Sequence, residues 1–177
     1  MGRSTIFNPS VHQHFLNFNI DYWNHLSKME IITRTMQVQK KIMSTFKEQQ
    51  VVSFATVEEN QPRVRPMTLI HLDGKFYMIT GARGGKKAKK LQQIRENPRF
   101  EYYLTLKGIE ADGFIRGMGK TWELEKYKIK KNVYNKITWA ANFFDTVDHP
   151  DYVLLELEHD GFSYRWPDER EIHYIEF

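Results

Sequence analysis

The sequence predicts a mainly β chain of the α+β class, in which consecutive antiparallel strands form a small closed or half-open barrel with helices at its rim. Runs rich in β-branched and aromatic residues follow one another with short turns between them. Helical runs separate groups of strands and do not alternate with single strands, as a doubly wound parallel sheet would require. Closing the sheet leaves few exposed strand edges, which favours a barrel over an open sheet.

The first half of the chain contains an arm, a helix and a three-stranded meander. Residues 1–33 are polar and aromatic without a clean period, and we expect them to form an arm packed on the main domain, 34–177. Apolar residues at helical spacings predict a helix over 35–50. Asp73-Gly74 predicts a hairpin between the second and third strands, because both central residues of a tight turn need positive φ. The three predicted strands cover residues 51–57, 63–71 and 75–80.

The second half begins with a glycine-bearing loop, 81–85, which ends the third strand. An apolar stripe predicts a helix over 86–96, and Asn97-Pro98 terminates it. A further helix is expected over 127–144. The remaining predicted strands cover residues 99–106, 113–124, 152–158, 162–166 and 171–177.

Composition excludes several classes of protein. The 177 residues are 41% hydrophobic and 14% aromatic, which is too apolar for a disordered chain. Cysteine is absent, which rules out disulfides, thiolate zinc sites and iron–sulfur clusters and fits a reducing, cytoplasmic setting. No run approaches the roughly 18 apolar residues of a membrane helix. The seven histidines are scattered and show no metal-ligand spacing, so no metal site is expected.

A basic cluster follows the glycine loop. Lys86, Lys87, Lys89 and Lys90 lie at the start of the predicted helix, where free N–H groups bind anions. Two strands earlier, Arg63 and Arg65 alternate and therefore share one face. This pattern favours a phosphate held between strand and helix. The alternative is a solvated lysine face, with the arginines paired to Glu58 or Glu59, and the spacing leaves both open.

The net charge of +4 is mild, since 26 Lys+Arg stand against 22 Asp+Glu. The four clustered lysines account for this excess, and acidic residues offset the other basic residues along the chain. Nucleic acid is therefore not the expected partner, although basic and aromatic residues on a small barrel also occur in oligonucleotide-binding folds.

Several motifs share their order and spacing with a known family. They are Gln61-Pro62-Arg63-Val64-Arg65-Pro66-Met67, Asp73 to Thr80, Lys90 with Ile94, Asn97-Pro98-Arg99, Gly117 to Lys120 and Asp148 to Glu158. Together they resemble the FMN-binding split-barrel family, which includes pyridoxamine 5′-phosphate oxidase, and most of all its general-stress-protein-like branch. The resemblance covers roughly residues 45–160. It implies a six-stranded antiparallel split barrel and a homodimer holding FMN at the subunit interface.

The resemblance also implies a cofactor site. Arg65 and the residues after it would line the phosphate and the isoalloxazine ring, and the end of the third strand would contact the flavin. Counting back from Asn97-Pro98 selects Lys90 for the phosphate, whereas counting forward from Thr80 selects Lys86 or Lys87. The candidate cofactor-binding residues are Arg63, Arg65, Pro66, Met67, Thr68, Ile79, Thr80, Gly81, Lys86, Lys87, Lys89 and Lys90.

The resemblance implies a flavin-dependent oxidoreductase or reductase of unknown substrate, with a small-molecule or nicotinamide electron donor. Pyridoxamine phosphate oxidation itself is not expected, because Phe114 stands near a family glutamine and the carboxy-terminal Arg and His motif lacks a counterpart. The alternative is a non-enzymatic protein that binds flavin, F420 or haem, with His71 as a possible axial ligand. One aromatic residue could cover the flavin ring, the candidates being Trp122, Trp139, Phe143, Phe144 and Trp166.

Overall fold

The computed structural model describes residues 28–81 and 84–177. The chain divides into two compact units after Lys41. In the first unit, the described residues 28–41 are helical, and the helix, α1, ends at residue 45. Most of the predicted arm lies outside the described residues. The helix predicted over 35–50 ends earlier than expected, because Gln49 and Gln50 already pair with the second strand.

Six antiparallel strands of the second unit close into a barrel. Their order is β3-β2-β1-β4-β5-β6, and pairing of β3 with β6 closes the ring. The prediction of a six-stranded antiparallel barrel of the α+β class is therefore confirmed. The strands are β1 (Gln49–Glu58), β2 (Gln61–Leu72), β3 (Lys75–Thr80), β4 (Arg99–Leu106), β5 (Gly113–Glu123) and β6 (Val153–Arg165), and β7 (His173–Glu176) pairs with the carboxy-terminal part of β6.

Two tight hairpins set the register of the first three strands. Glu59 and Asn60 connect β1 to β2 with φ of 48° and 67°, and Asp73 and Gly74 connect β2 to β3 with φ of 52° and 74°. Two consecutive residues at positive φ give the turn whose twist matches that of the flanking strands. The predicted Asp73-Gly74 hairpin is confirmed.

The two remaining predicted helices are each interrupted. The first is a 3₁₀ helix, Gly85–Lys87, followed by α2, Lys89–Glu96, because Ala88 is extended at ψ 133°. The second is α3, Tyr127–Lys136, followed by a 3₁₀ helix, Thr138–Asn142. Ile137 breaks it with a non-helical ψ of 85° and is fully buried. None of the described helices is long and apolar enough to cross a membrane.

The last predicted barrel strands, 152–158 and 162–166, are one continuous strand, β6. Met118 pairs with Gly161 and Gly119 pairs with His159, so Asp160 is an extra residue in a β-bulge. The bulge bends β6 without ending it, and the sequence signals around Asp160-Gly161 therefore mark a bend and not a turn.

Apolar side chains fill two separate regions of the second unit. Aromatic residues including Phe54, Tyr102 and Phe162 pack within the barrel. A second cluster forms where α3 and the 3₁₀ helix after it cover part of the sheet, and it includes Ile70 and Tyr152. This second cluster positions the segment 138–144 beside the ends of β2 and β3.

Candidate functional site

Two adjacent cavities lie where β2 and β3 approach α2. The first has a volume of about 660 Å³ and the second about 460 Å³, and Lys90 lines both. The first is lined by Glu58, Pro62, Arg63, Val64, Arg65, Ala88, Lys89, Lys90 and Gln93. The second is lined by Thr68, Ile79, Thr80, Gly81, Lys90, Trp139, Phe143 and Phe144.

Arg65 lies in the first cavity within a small polar network. Its Nη1 donates to Thr56 Oγ1 at 2.8 Å, and its Nη2 donates to Gln93 Oε1 at 2.9 Å. The Thr56 hydroxyl in turn donates to the same Gln93 oxygen at 2.7 Å. Burial lowers the pKa of Arg65, the charge of Glu58 opposes this, and that of Arg63 adds to it. The guanidinium remains charged and is held in a fixed orientation without a bonded carboxylate among the described residues.

Lys90 is the second half-buried cation. Burial lowers the pKa of Lys90, and the positive charge of Arg65 lowers it further. Among the described residues its Nζ makes only a weak contact, with Met67 Sδ at 3.9 Å. Arg65 and Lys90 are thus two partly buried cations that repel each other, and no carboxylate among the described residues bonds to either. Binding of an anion between them would stabilise both charges.

Arg63 and the other lysines are placed differently. Arg63 pairs with Glu58 at 2.8 Å, which is the alternative expected from the sequence for one of the two arginines. Burial raises the pKa of Glu58, but the hydrogen bond and charge of Arg63 outweigh it and the net pKa is lowered, with smaller contributions from Gln93 and Lys89. Lys89 is exposed and lines the first cavity, whereas Lys86 and Lys87 are exposed and line neither cavity.

The glycine loop approaches Asp151 closely. Gly81 and Gly85 have φ of 108° and 51°, and a Cβ at either position would collide with Asp151, at its carbonyl oxygen and its carboxylate respectively. At Gly81 the φ and the backbone carbonyl of Asp151 together require glycine, whereas at Gly85 the obstacle is the end of the Asp151 side chain. Both glycines therefore make room for Asp151, and Gly81 also lines the second cavity.

The second cavity combines an aromatic wall with an unpartnered hydroxyl. Trp139, Phe143 and Phe144 form the wall, and they are three of the five aromatic residues predicted as ring-covering candidates. Trp139 is fixed by a hydrogen bond of 2.6 Å from Nε1 to Gln49 Oε1. Thr80 is 4% exposed, and its Oγ1 is buried with no hydrogen-bond partner among the described residues. A buried hydroxyl without a partner is costly, and a ligand in this cavity would supply one.

Of the candidate cofactor residues, the structure brings eight to the cavity walls and leaves four elsewhere. Pro66, Lys86 and Lys87 line neither cavity, and Met67 only contacts Lys90 through its sulfur. Those at the walls are Arg63, Arg65, Thr68, Ile79, Thr80, Gly81, Lys89 and Lys90.

Two functional residues, Thr56 and Gln93, were missed by sequence reasoning. Gln93 stands beside the apolar stripe of α2 and is buried, so a polar residue next to that stripe was the available signal. Thr56 lies directly opposite Arg63 in the β1–β2 register, which only the pairing reveals.

His71, the possible axial ligand for haem, packs against aromatic side chains. Its ring stacks on Phe76 with centroids 4.5 Å apart and lies edge-on to Phe46. Burial lowers the pKa of His71, while a hydrogen bond to the Phe46 backbone opposes this. Its Nε2 is buried and has no hydrogen-bond partner in the part of the chain that the structure describes.

Comparison with solved structures shows the same fold in proteins of low identity. General Stress Protein 26 from Bacillus anthracis has a TM-score of 0.61 at 21% identity, covering 79% of this chain and 98% of that protein. A haem-binding protein from Mycobacterium smegmatis has a TM-score of 0.59 at 15% identity, with 73% and 53% covered. An FAD-binding protein from Mesorhizobium loti has a TM-score of 0.53 at 16% identity, with 73% and 90% covered.

Curated protein sequences contain no match to this chain. A family model described as pyridoxamine 5′-phosphate oxidase, however, matches residues 38–164. This segment includes β1 to β5, β6 except its last residue, α2, α3 and the residues of both cavities. The chain therefore belongs to the pyridoxamine 5′-phosphate oxidase family, as its sequence motifs indicated.

Proposed function

We propose that this protein binds FMN in the two adjacent cavities and uses it in electron transfer. The observation that carries the proposal is the pair Arg65 and Lys90, two half-buried cations without a bonded carboxylate among the described residues. A phosphate monoester supplies the charge that this pair lacks. The neighbouring cavity has an aromatic wall and a buried, unpartnered Thr80 hydroxyl, which suit a flat ring bearing polar atoms.

Each part of the cavities has a distinct task in this proposal. Arg65 and Lys90 hold the phosphate, and the pairing of Arg63 with Glu58 keeps a neutral ion pair at the rim. Thr80 hydrogen-bonds a polar atom of the ring, and Trp139 and Phe143 exclude water from one side of it. A bound flavin supplies reversible hydride and electron transfer, so the protein contributes binding, orientation and electrostatics.

The proposal includes a homodimer, supported by an apolar sheet face. In the β1–β2 register, Val51 lies opposite Thr68, Ser53 opposite Pro66, Ala55 opposite Val64 and Val57 opposite Pro62, and none of these eight residues is charged. Val51 is 67% exposed and Val64 is 65% exposed. An uncharged and largely apolar patch of this kind suits burial against a second copy. Val64 and Pro62 also line the first cavity, so this interface would adjoin the phosphate site.

The binding proposal is tested by titrating the protein with FMN and with riboflavin, which differ in the phosphate. We expect FMN to bind at least tenfold more tightly. Arg65→Ala should weaken FMN binding on the order of a hundredfold, as expected when charged hydrogen bonds are lost. Lys128→Ala removes an exposed lysine from α3 and should leave the affinity unchanged. Equal effects of the two substitutions, or equal affinity of the wild type for FMN and riboflavin, would contradict the proposal.

A second candidate function is a flavin-binding protein that does not turn over. It is favoured by the cavity lining, in which the described residues include no histidine and no carboxylate besides Glu58, itself paired with Arg63. Stopped-flow mixing of the flavin-loaded protein with NADH or NADPH separates the candidates. Bleaching of the flavin absorption, followed by reoxidation by an added acceptor, supports the oxidoreductase. A flavin that is never reduced supports a role in binding alone. So does tighter binding of haem or F420 than of FMN.

A further inference from the structure

Gln93 is the centre of the polar network that holds Arg65. Its Oε1 accepts two hydrogen bonds, from Arg65 Nη2 at 2.9 Å and from the Thr56 hydroxyl at 2.7 Å. Gln93 is 4% exposed and Thr56 is 1% exposed, so both contacts are shielded from water. Since Thr56 also accepts from Arg65 Nη1, the three side chains form a closed ring of hydrogen bonds. This ring fixes the plane of the guanidinium at the wall of the first cavity.

The neutrality of Gln93 is as important as its position. A buried arginine is most often held by a carboxylate, which orients the guanidinium and also cancels its charge. Here an amide and a hydroxyl provide the two acceptors, so the guanidinium is oriented while its charge is retained. The carboxylate among the lining residues of the first cavity, Glu58, is paired with Arg63. Two of the five N–H donors of Arg65 are used by the ring, and the others are available to an incoming anion.

We propose that Gln93 is a positioning and specificity-determining residue, which holds Arg65 toward the first cavity without neutralising it and thereby selects phosphorylated over unphosphorylated flavin. This inference rests on the proposed flavin function. The Arg65–Thr56–Gln93 ring preorganises the site, so a phosphate binds without first releasing a carboxylate from Arg65. Lys90, three residues before Gln93 on α2, lies on the same side of the helix and adds its charge to that of Arg65.

The experiment compares FMN with riboflavin on two variants of Gln93. Gln93→Glu keeps the shape and the acceptor oxygen but places a carboxylate against Arg65, and Gln93→Leu removes the acceptor. Both should weaken FMN binding roughly ten- to a hundredfold, the range for loss of a hydrogen bond to a charged group. Riboflavin affinity should change by less than about threefold, because riboflavin has no phosphate. The matched control is Gln92→Glu, which adds the same charge at an exposed neighbouring position on α2 and should leave the ratio of the two affinities unchanged.

A second comparison tests whether Gln93 acts through Arg65. In an Arg65→Ala background the residue to be positioned is absent, so Gln93→Leu should cause little further loss of FMN affinity. An equal loss in both backgrounds would show that Gln93 acts independently of Arg65 and would overturn the proposal. So would an unchanged affinity ratio in both Gln93 variants, or an equal loss of FMN and riboflavin affinity, which indicates a purely structural role. If the wild-type protein does not prefer FMN to riboflavin, the proposed FMN binding itself is overturned. This result is distinct because it appears without any substitution.

Discussion

His159 should make the stability of the barrel strongly pH-dependent. The ring packs edge-on to Phe76, Phe100 and Tyr102 at centroid distances of 4.6 to 5.5 Å, and a hydrogen bond of 2.9 Å joins its Nε2 to the Tyr102 hydroxyl. Burial lowers the pKa of His159 to about 4 from 6.5, with Asp160 opposing the change and His71 adding to it. The folded protein therefore keeps this imidazole neutral.

The size and sign of the effect follow from proton linkage. The pKa is lower by about 2.5 in the folded state, and at about 1.4 kcal/mol for each pH unit this amounts to about 3 kcal/mol. Between pH 6.5 and 4 the unfolded chain binds the proton and the folded chain does not, so stability falls as the pH falls. The stability that depends on a neutral His159 is fully present above pH 6.5 and is lost by about pH 4. Such a loss is a large part of a typical domain stability of about 5–15 kcal/mol.

The assay is urea unfolding at a series of pH values from 7 to 4, for the wild type and for His159→Gln. Glutamine can still hydrogen-bond the buried Tyr102 hydroxyl but cannot titrate. We expect the wild type to lose about 3 kcal/mol more than the variant over this range. His173→Gln, at a half-exposed histidine on β7, serves as the control and should follow the wild type. Parallel curves for the wild type and His159→Gln would refute the reasoning.

Three further predictions concern the cavity, the loop and the sheet face. Thr80→Val removes the unpartnered hydroxyl at constant shape, so thermal unfolding should show equal or higher stability, by up to about 1 kcal/mol, while FMN titration shows weaker binding. Gly81→Ala should destabilise by more than the roughly 1–2 kcal/mol of a left-handed alanine, because the backbone carbonyl of Asp151 obstructs its Cβ. As the control, Gly74→Ala has open space around the added Cβ, so thermal unfolding should show only the cost of placing alanine at positive φ. Val64→Lys should convert a dimer to a monomer in light scattering, and an unchanged mass would contradict the proposed interface.

Local sequence patterns predicted much of the fold because short-range chemistry controls those features. The Asp73-Gly74 turn follows from residues that tolerate positive φ, and the alternation of Arg63 and Arg65 follows from the two-residue period of a strand. The helix predictions were less accurate at Ala88 and Ile137. Both residues are compatible with a helix, and both have non-helical backbone angles in the folded protein. Ile137 is fully buried in the second apolar cluster, beneath α3. A tertiary requirement of this kind is not visible in a local periodicity.

For the candidate site, too, local sequence predicted some features and the folded structure was needed for others. The motifs located the strand, the loop and the helix that surround the cavities, and they listed four lysines as possible anion ligands without distinguishing between them. The structure separates these lysines by burial, since Lys90 is half-buried between the two cavities while Lys86 and Lys87 are exposed. Burial raises the energy of an unpaired charge, and it depends on how α2 packs against the barrel.

The sequence alone therefore determined the order of the elements, the hairpins, the absence of cysteine chemistry and the family. These features depend on residue identity and on neighbours along the chain. Only the tertiary structure decided that the loop glycines accommodate Asp151, that Gln93 and Thr56 hold Arg65, and that His159 is buried in a neutral form. Each of these depends on contacts between strands and helices distant in sequence, whose geometry is set by the closure of the barrel.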